Sequence, residues 1–293
     1  MILDTIPQNG ILNKPFDKEC ELLFPEFEYQ KPFLKWAGGK TQMIAEIHRF
    51  LPNSFNKYIE PFIGGGAVYF SLNHPKSIIA DLNEELIITY QQIKDNVYDV
   101  IEILETFENT EQFYYKIRSA DSKTLTVHER AARLIYLNKT CFNGLFRVNK
   151  KGNFNVPFGK REGSFFNKIN LLNASRYLQN AQIDYADYKL TLNKYARKGD
   201  FVFLDPPYHP IGKFSDFKRY TKEFFYEKDQ IDLAGIFRDL VDRGCFVMLT
   251  NSDHPLIYKL YEDFKIISIP TKRLISRDPN TRTGTDLLVL GGL

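Results

Sequence analysis

The 293-residue chain has only three cysteines, Cys20, Cys141 and Cys245, far apart and never in a CxxC pair. That spacing argues against a disulfide framework or a zinc site and fits a reducing cytosol, so no metal is expected. No stretch approaches the ~18 consecutive apolar residues that span a membrane, and Met1 to Gly10 lacks a basic segment followed by an apolar one; a soluble, cytoplasmic protein is expected. A strong charge of one sign is also missing. With a net charge of +3, the distribution of basic residues says more about a polyanionic partner than their sum.

Two phosphate-binding motifs are absent as well. Gly39-Lys40-Thr41 matches the end of a P-loop, but Leu34 stands where that motif needs its first glycine. Gly64-Gly65-Gly66 could open a GxGxxG fingerprint, but Tyr69 fills the last glycine position, which disfavours a dinucleotide site.

What is present centres on Phe201-Val202-Phe203-Leu204-Asp205-Pro206-Pro207-Tyr208. The apolar run without alternation predicts a strand covered on both faces, and two prolines without N–H donors force the chain out of the sheet at Asp205. In an open α/β sheet, ligands collect at the carboxyl ends of strands. A carboxylate, a stiff turn and a flat ring at such an end suit a planar base bearing an amino group. Two glycine turns precede it. The first, Trp36-Ala37-Gly38-Gly39-Lys40, opens a helical pattern through Met43, Ile44, Ile47 and Leu51, and suits a ligand with a carboxylate and an aromatic ring or, equally, a plain turn with a core tryptophan. The second, Glu60-Pro61-Phe62-Ile63-Gly64-Gly65-Gly66, leads into a helix. Then Ser77 to Ala80 reads as a strand ending in Asp81-Leu82-Asn83, where a nucleoside-binding α/β fold places its ribose acceptor.

From Glu84 to about Leu137 apolar residues recur at helical spacing: Leu86, Ile87 and Tyr90, then Ile101 and Leu104, then Ala131, Leu134, Ile135 and Leu137. These are core stripes without chemistry. The character changes over Asn138 to Arg161. Lys139, Arg147, Lys150, Lys151, Lys160 and Arg161 meet no acidic residue before Glu162, asparagines and aromatics interleave with them, and Asn149 to Asn153 reads as a hairpin tip. A solvated basic loop would have the charge. The density of Asn, Phe and Arg favours nucleic acid, because Arg reads guanine, Asn reads adenine, Lys takes phosphate and a ring can wedge into a stack.

Beyond the basic segment, Asn170 to Gln179 reads as a helix and Ile183 to Tyr188 as a strand. After Tyr208 come an aromatic loop through Phe214, Phe217, Tyr220, Phe224 and Phe225, a helix over Asp229 to Leu240, and a strand over Cys245 to Thr250 with Asn251-Ser252-Asp253 as its turn. Leu256 to Tyr261 is a helix, and Ile266 to Ile269 with Leu287 to Leu290 are closing strands. Alternation of strand and helix on both sides of the basic segment predicts an α/β, doubly wound, mostly parallel sheet interrupted by a helical and β-hairpin insertion. The expected division is an N-terminal extension over 1–30, a discontinuous catalytic domain over 31–95 and 183–293, and an inserted recognition domain over 96–182.

The ordered set of Phe33-Leu34-Lys35-Trp36-Ala37-Gly38-Gly39-Lys40, Glu60 to Gly66, Asp81-Leu82-Asn83, Phe142-Asn143-Gly144-Leu145-Phe146-Arg147 with Phe154 to Gly159, and Asp205-Pro206-Pro207-Tyr208 resembles the Dam-type, D12-class DNA adenine-N6 methyltransferases over roughly residues 32–290. The resemblance implies a Rossmann-like methyltransferase sheet and S-adenosylmethionine as cofactor. Trp36, Ala37, Gly38, Gly39 and Lys40 would hold it with Glu60, Pro61, Phe62, Gly64, Gly65 and Gly66; Asp81 and Leu82 would lie at the ribose, Asp187 and Tyr188 at the adenine, and Asp205 at the methyl group. Asp205, Pro206, Pro207 and Tyr208 would be catalytic. Lys35, Asn138, Phe142, Asn143, Leu145, Arg147, Asn149, Lys150, Lys151, Asn155 and Pro157 would contact DNA, with GATC as the implied target. The loop Arg277 to Thr285 departs from the family pattern.

The residue chemistry agrees. A carboxylate and a fixed carbonyl can accept both N–H groups of an adenine amine, and Tyr208 offers a face to a flipped base. A cytosine-C5 enzyme needs a Pro-Cys nucleophile and no such pair occurs. A cytosine-N4 enzyme, with Ser more often at the Asp205 position, and a non-catalytic DNA-binding protein on a methyltransferase fold remain the alternatives. Partners in view are double-stranded DNA and a cognate restriction endonuclease, and a monomer is expected.

Overall fold

A computed structural model describes residues 29–149, 152–160, 162–210, 225–272 and 283–293. Residues 1–28, Lys150, Lys151, Arg161, the aromatics Phe214, Phe217, Tyr220 and Phe224, and 273–282 lie outside the described residues.

Seven strands form one sheet: β1 (Tyr58–Glu60), β2 (Ser77–Asp81), β3 (Ala181–Tyr185), β4 (Phe201–Leu204), β5 (Phe246–Ser252), β6 (Lys265–Lys272) and β7 (Thr283–Gly291), in the order β3-β2-β1-β4-β5-β7-β6. β1 to β5 pair in parallel, while β7 runs antiparallel to β5 and to β6. The order reverses between β1 and β4, so the crevice at a topological switch point opens beyond Glu60 and Leu204.

Strand periodicity sends alternate residues to opposite faces, and both faces are covered. Tyr58, Ile79, Phe201, Phe203, Met248 and Leu288 enter one core with the helices Ile44–Arg49, Glu84–Asp95, Val97–Glu105, Glu111–Ser119, Val127–Thr140 and Lys168–Leu178. Ile59, Ile78, Val202, Leu204, Val247, Leu249 and Val289 enter the other with Tyr188–Tyr195, Glu227–Asp242 and Pro255–Leu260. The helices inserted between β2 and β3 therefore share a core with the sheet. This is the α/β, doubly wound architecture expected from the sequence.

Helix starts follow local chemistry. At Val127–Thr140, Glu129 accepts from the Thr126 N–H at 2.8 Å while the Thr126 hydroxyl accepts from the Glu129 N–H at 3.2 Å, a reciprocal capping box. The expected strand over Ile183 to Tyr188 needs correction. β3 ends at Tyr185, and the Asp187 carboxylate accepts from the Lys189 N–H at 2.7 Å, starting the helix Tyr188–Tyr195. Likewise Asn251 and Ser252 continue β5, because β7 pairs with them at Leu287 and Asp286.

Among the described residues, no helix is long and apolar enough to cross a membrane, and no group of His, Cys, Asp and Glu is arranged to hold a metal ion.

Candidate active site

β4 delivers Asp205 to the switch point, partly buried, with both carboxylate oxygens engaged. Oδ1 accepts from the Thr250 hydroxyl at 2.7 Å, and Oδ2 lies 2.7 Å from the Lys40 ammonium. Burial pushes the Asp205 carboxyl up and Lys40 with Thr250 pulls it down, while Asp286 adds a smaller upward push. The Lys40 ammonium also donates to the Gly38 carbonyl and sits 4.8 Å from the centre of the Tyr208 ring. Tyr208 donates to Asp286 at 3.4 Å. Behind the prolines, buried Gln230 donates to the Pro207 carbonyl at 3.0 Å and accepts from Asn251 at 2.9 Å; Asn251 accepts from the His209 N–H at 3.1 Å. The Asp-Pro-Pro-Tyr turn is thus held on both sides.

The two glycine turns meet through the lone tryptophan. A Cβ on Gly64, at φ +46°, would fall 2.8 Å from Trp36 Cδ1, so only glycine lets the ring lie against this turn. Trp36 also stacks on Phe146, with centroids 5.1 Å apart and planes at 20°. Gly64 donates its N–H to Asp81 at 3.2 Å, and Asn83 does so at 2.9 Å; burial nevertheless raises the Asp81 carboxyl to about 6. Glu60 turns inward, accepting from the Tyr58 hydroxyl at 2.7 Å and the Tyr69 N–H at 3.1 Å. Phe62 stacks on Tyr188 at 5.1 Å, and Leu82 is exposed.

Phe146 belongs to the basic segment, where Val148 bridges Phe154, Asn149 donates to the Asn153 carbonyl and Asn155 to the Arg147 carbonyl. This is the expected hairpin. Phe146, Phe154 and Val156 point inward, while Phe142, Asn143, Asn153 and Pro157 are exposed and Leu145, Arg147, Asn149 and Asn155 are partly exposed. Asn155 Oδ1 accepts from Arg147 Nε at 2.8 Å and so aims the guanidinium. Lys35 joins this surface: its stem packs on Gly144, where a Cβ would fall 2.5 Å from Lys35 Cδ. Its backbone N–H and C=O are both bound by the Asn138 side chain, at 2.8 and 2.7 Å. Asn138, expected among the DNA contacts, has no exposed surface, so its amide positions Lys35 and offers no edge to a base.

Against this geometry, a family model described as D12 class N6 adenine-specific DNA methyltransferase matches residues 36–275. The chain belongs to this family. The D12-class enzyme is similar to a type II methyltransferase, M.MjaIII, of Methanocaldococcus jannaschii, at 43% identity over 269 residues, covering 84% of this chain and 93% of the relative. It is 42% identical to a type II methyltransferase, M1.LlaDCHI, of Lactococcus lactis subsp. cremoris, over 83% and 88% of the two chains. It is 32% identical to the DNA adenine methylase of Escherichia coli K12, over 88% and 94%.

As a D12-class enzyme the protein methylates adenine in DNA, and its site accounts for itself without a thiol nucleophile. Among the described residues both cysteines, Cys141 and Cys245, are buried, and burial pushes the Cys141 thiol up to about 12. Sequence reasoning missed Thr250, Gln230, Asn251 and Asp286. The polar run Thr250-Asn251-Ser252-Asp253 closing an apolar strand is a usable signal for Thr250 and Asn251. Asp286 had none, because it reaches the site only through the antiparallel register of β7 opposite Ser252.

Proposed function

We propose that the enzyme transfers a methyl group from S-adenosylmethionine to the N6 amine of adenine within GATC in double-stranded DNA, directly and in line, on a base flipped out of the duplex. The observation that carries this reading is the Asp205 carboxylate, pinned by Thr250 and Lys40 at the switch point beside the Tyr208 ring.

The residues fit the cofactor. Gly64 and Gly66, both at positive φ, form a close-approaching backbone cradle, and Asp81 presents acceptors at the end of β2. Among the described residues the buried Tyr188 hydroxyl has no hydrogen-bond partner, and its ring lies against Phe62. Trp36 to Lys40, Glu60 to Gly66, Asp81 with Leu82, and Asp187 with Tyr188 would hold it. When bound, S-adenosylmethionine supplies an electrophilic sulfonium methyl group.

The adenine amine is a poor nucleophile because its lone pair is conjugated into the ring. Asp205 and the Pro206 carbonyl accept its two N–H bonds, so the lone pair is released toward the methyl carbon. Tyr208 stacks on the base, and the surplus N6 proton leaves to Asp205 or to water. On the recognition side, Lys35 and Arg147 read guanine, Leu145 and Pro157 touch the site, Phe142 and Asn143 act at the opened stack, and Asn149, Lys150, Lys151 and Asn155 complete the DNA surface. Residues 96–182 are the inserted recognition domain, and 31–95 with 183–293 the catalytic one. The type II methyltransferases among its relatives support a role beside a cognate restriction endonuclease; the enzyme acts as a cytoplasmic monomer.

The test is to methylate plasmid DNA with the protein and digest it with restriction enzymes that are blocked by, or require, methylated GATC. Protection from the first kind and cutting by the second are expected. An Asp205→Ala protein that binds DNA and cofactor yet methylates at the wild-type rate overturns the catalytic assignment.

A further inference from the structure

Lys40 is 4% exposed, and its ammonium contacts three groups of the base pocket: Asp205 Oδ2 at 2.7 Å, the Gly38 carbonyl, and the Tyr208 ring at 4.8 Å. It stands where an amine hydrogen-bonded to Asp205 and stacked near Tyr208 would stand. Among the described residues its surroundings are otherwise acidic. Among the described residues, Asp205 is approached by Asp286 from β7 and by Glu60 and the Tyr58 phenol from β1, Tyr208 from its own turn donates to Asp286, and Lys40 is the cation among them.

We propose that Lys40 is the positioning residue of the base pocket: it serves as counter-ion to Asp205, occupies the amine's acceptor before the base arrives, and then yields that oxygen while keeping its hold on Gly38. The inference rests on the adenine-N6 reading of the site. It assigns Lys40 a role distinct from the cofactor contact expected of it. Three carboxyls crowd this end of the sheet, and like charges with burial favour the protonated form. A protonated Asp205 would donate a hydrogen bond where the amine needs an acceptor. The Gly38 carbonyl gives the displaced ammonium a second anchor, so the exchange at Asp205 does not strand a buried charge.

The experiment uses the full chain and measures single-turnover methyl transfer to a GATC duplex across pH, at saturating DNA and cofactor, for wild type, Lys40→Met, Lys40→Gln and Lys40→Arg. Cofactor affinity is followed in parallel by the fluorescence of Trp36, the only tryptophan of the chain. Removing an opposite charge at this distance should move the acid limb of the rate profile up by about 1–3 pH units in the Met and Gln variants. At a fixed pH on that limb, each unit is about a tenfold loss of rate. Lys40→Arg, which keeps the charge, should leave the limb in place.

If the Met and Gln variants lose the same fraction of rate at every pH, or Arg shifts the limb as they do, the proposal is wrong. Neutral variants that merely unfold, judged by circular dichroism, would mark Lys40 as structural and also overturn it. Wild-type protein that methylates no DNA would sink the underlying function, a result separate from any difference among the variants.

Discussion

Glu60 shows how the site's chemistry reaches into stability. It ends β1 with its carboxyl turned into the protein, and burial pushes it up to about 8, against the hydrogen bonds from Tyr58 and Tyr69 that pull it down. The folded chain therefore keeps a proton that the unfolded chain releases near 4.5. A carboxyl raised on folding stabilises least at high pH: its contribution is intact below about 4.5, declines as pH rises toward 8, and is lost above it. At pH 7 the loss is about 3 kcal/mol. Glu60→Gln keeps an acceptor for Tyr58 and Tyr69 but binds no proton. Thermal unfolding should show wild type and variant close together at pH 5, with the variant gaining Tm relative to wild type by pH 8; parallel curves across that range would refute the assignment.

At the level of elements, the helix Val127–Thr140 anchors the surface proposed to meet DNA. Asn138 clips the Lys35 backbone to it, and Gly159 donates its N–H to Thr140 at 2.8 Å where a Cβ would fall 2.6 Å from the Cys141 carbonyl oxygen. Tyr114 and Arg118 donate to the Val156 carbonyl from a second helix, Glu111–Ser119. Asn138→Leu would orphan the Lys35 N–H and C=O at about 1–3 kcal/mol each. The expected result is a lower Tm and weaker DNA binding with cofactor affinity nearly unchanged, since Trp36 is held separately by Phe146 and the glycine turn. Equal losses of both affinities would argue that Asn138 supports the whole site. Much of this was legible beforehand. Phe201 to Leu204 reads as a doubly covered strand because it lacks alternation, and the core stripes read because their spacing is helical. Two elements were misread for a shared reason. Asp187 as a cap and Asn251 as strand depend on what lies beside them, Lys189 N–H and β7, and a polar residue after an apolar run reads the same whether it turns the chain, caps a helix or pairs across a sheet. Asn138 is the same case in reverse: an asparagine heading a basic run looks exposed until the Lys35 segment is laid across it.

Across the whole molecule, residues distant in sequence converge because a parallel sheet gathers its strand ends on one edge, the Glu60 to Gly66 turn, Asp81, Asp205 and Thr250, and the turn before β1 brings Lys40 to Asp205 there. The hairpin docks beside that edge through the Trp36 stack, and brings Arg147 with it. With a net charge of only +3, long-range attraction to DNA is expected from the basic residues concentrated in sequence between Lys139 and Arg161. The contribution should split into two kinds. Arg147 is aimed by Asn155, which suits reading a base edge, whereas Lys150 is assigned to phosphate by its place at the hairpin tip in sequence. Binding of each variant to GATC duplexes and to duplexes with one base pair changed, at several salt concentrations, separates them. Arg147→Ala should relax discrimination at one position by about 1–3 kcal/mol, while Lys150→Ala should weaken all duplexes alike and lower the salt slope by about one. Identical behaviour of the two variants, in specificity and in salt slope, would show that the hairpin holds DNA without reading it.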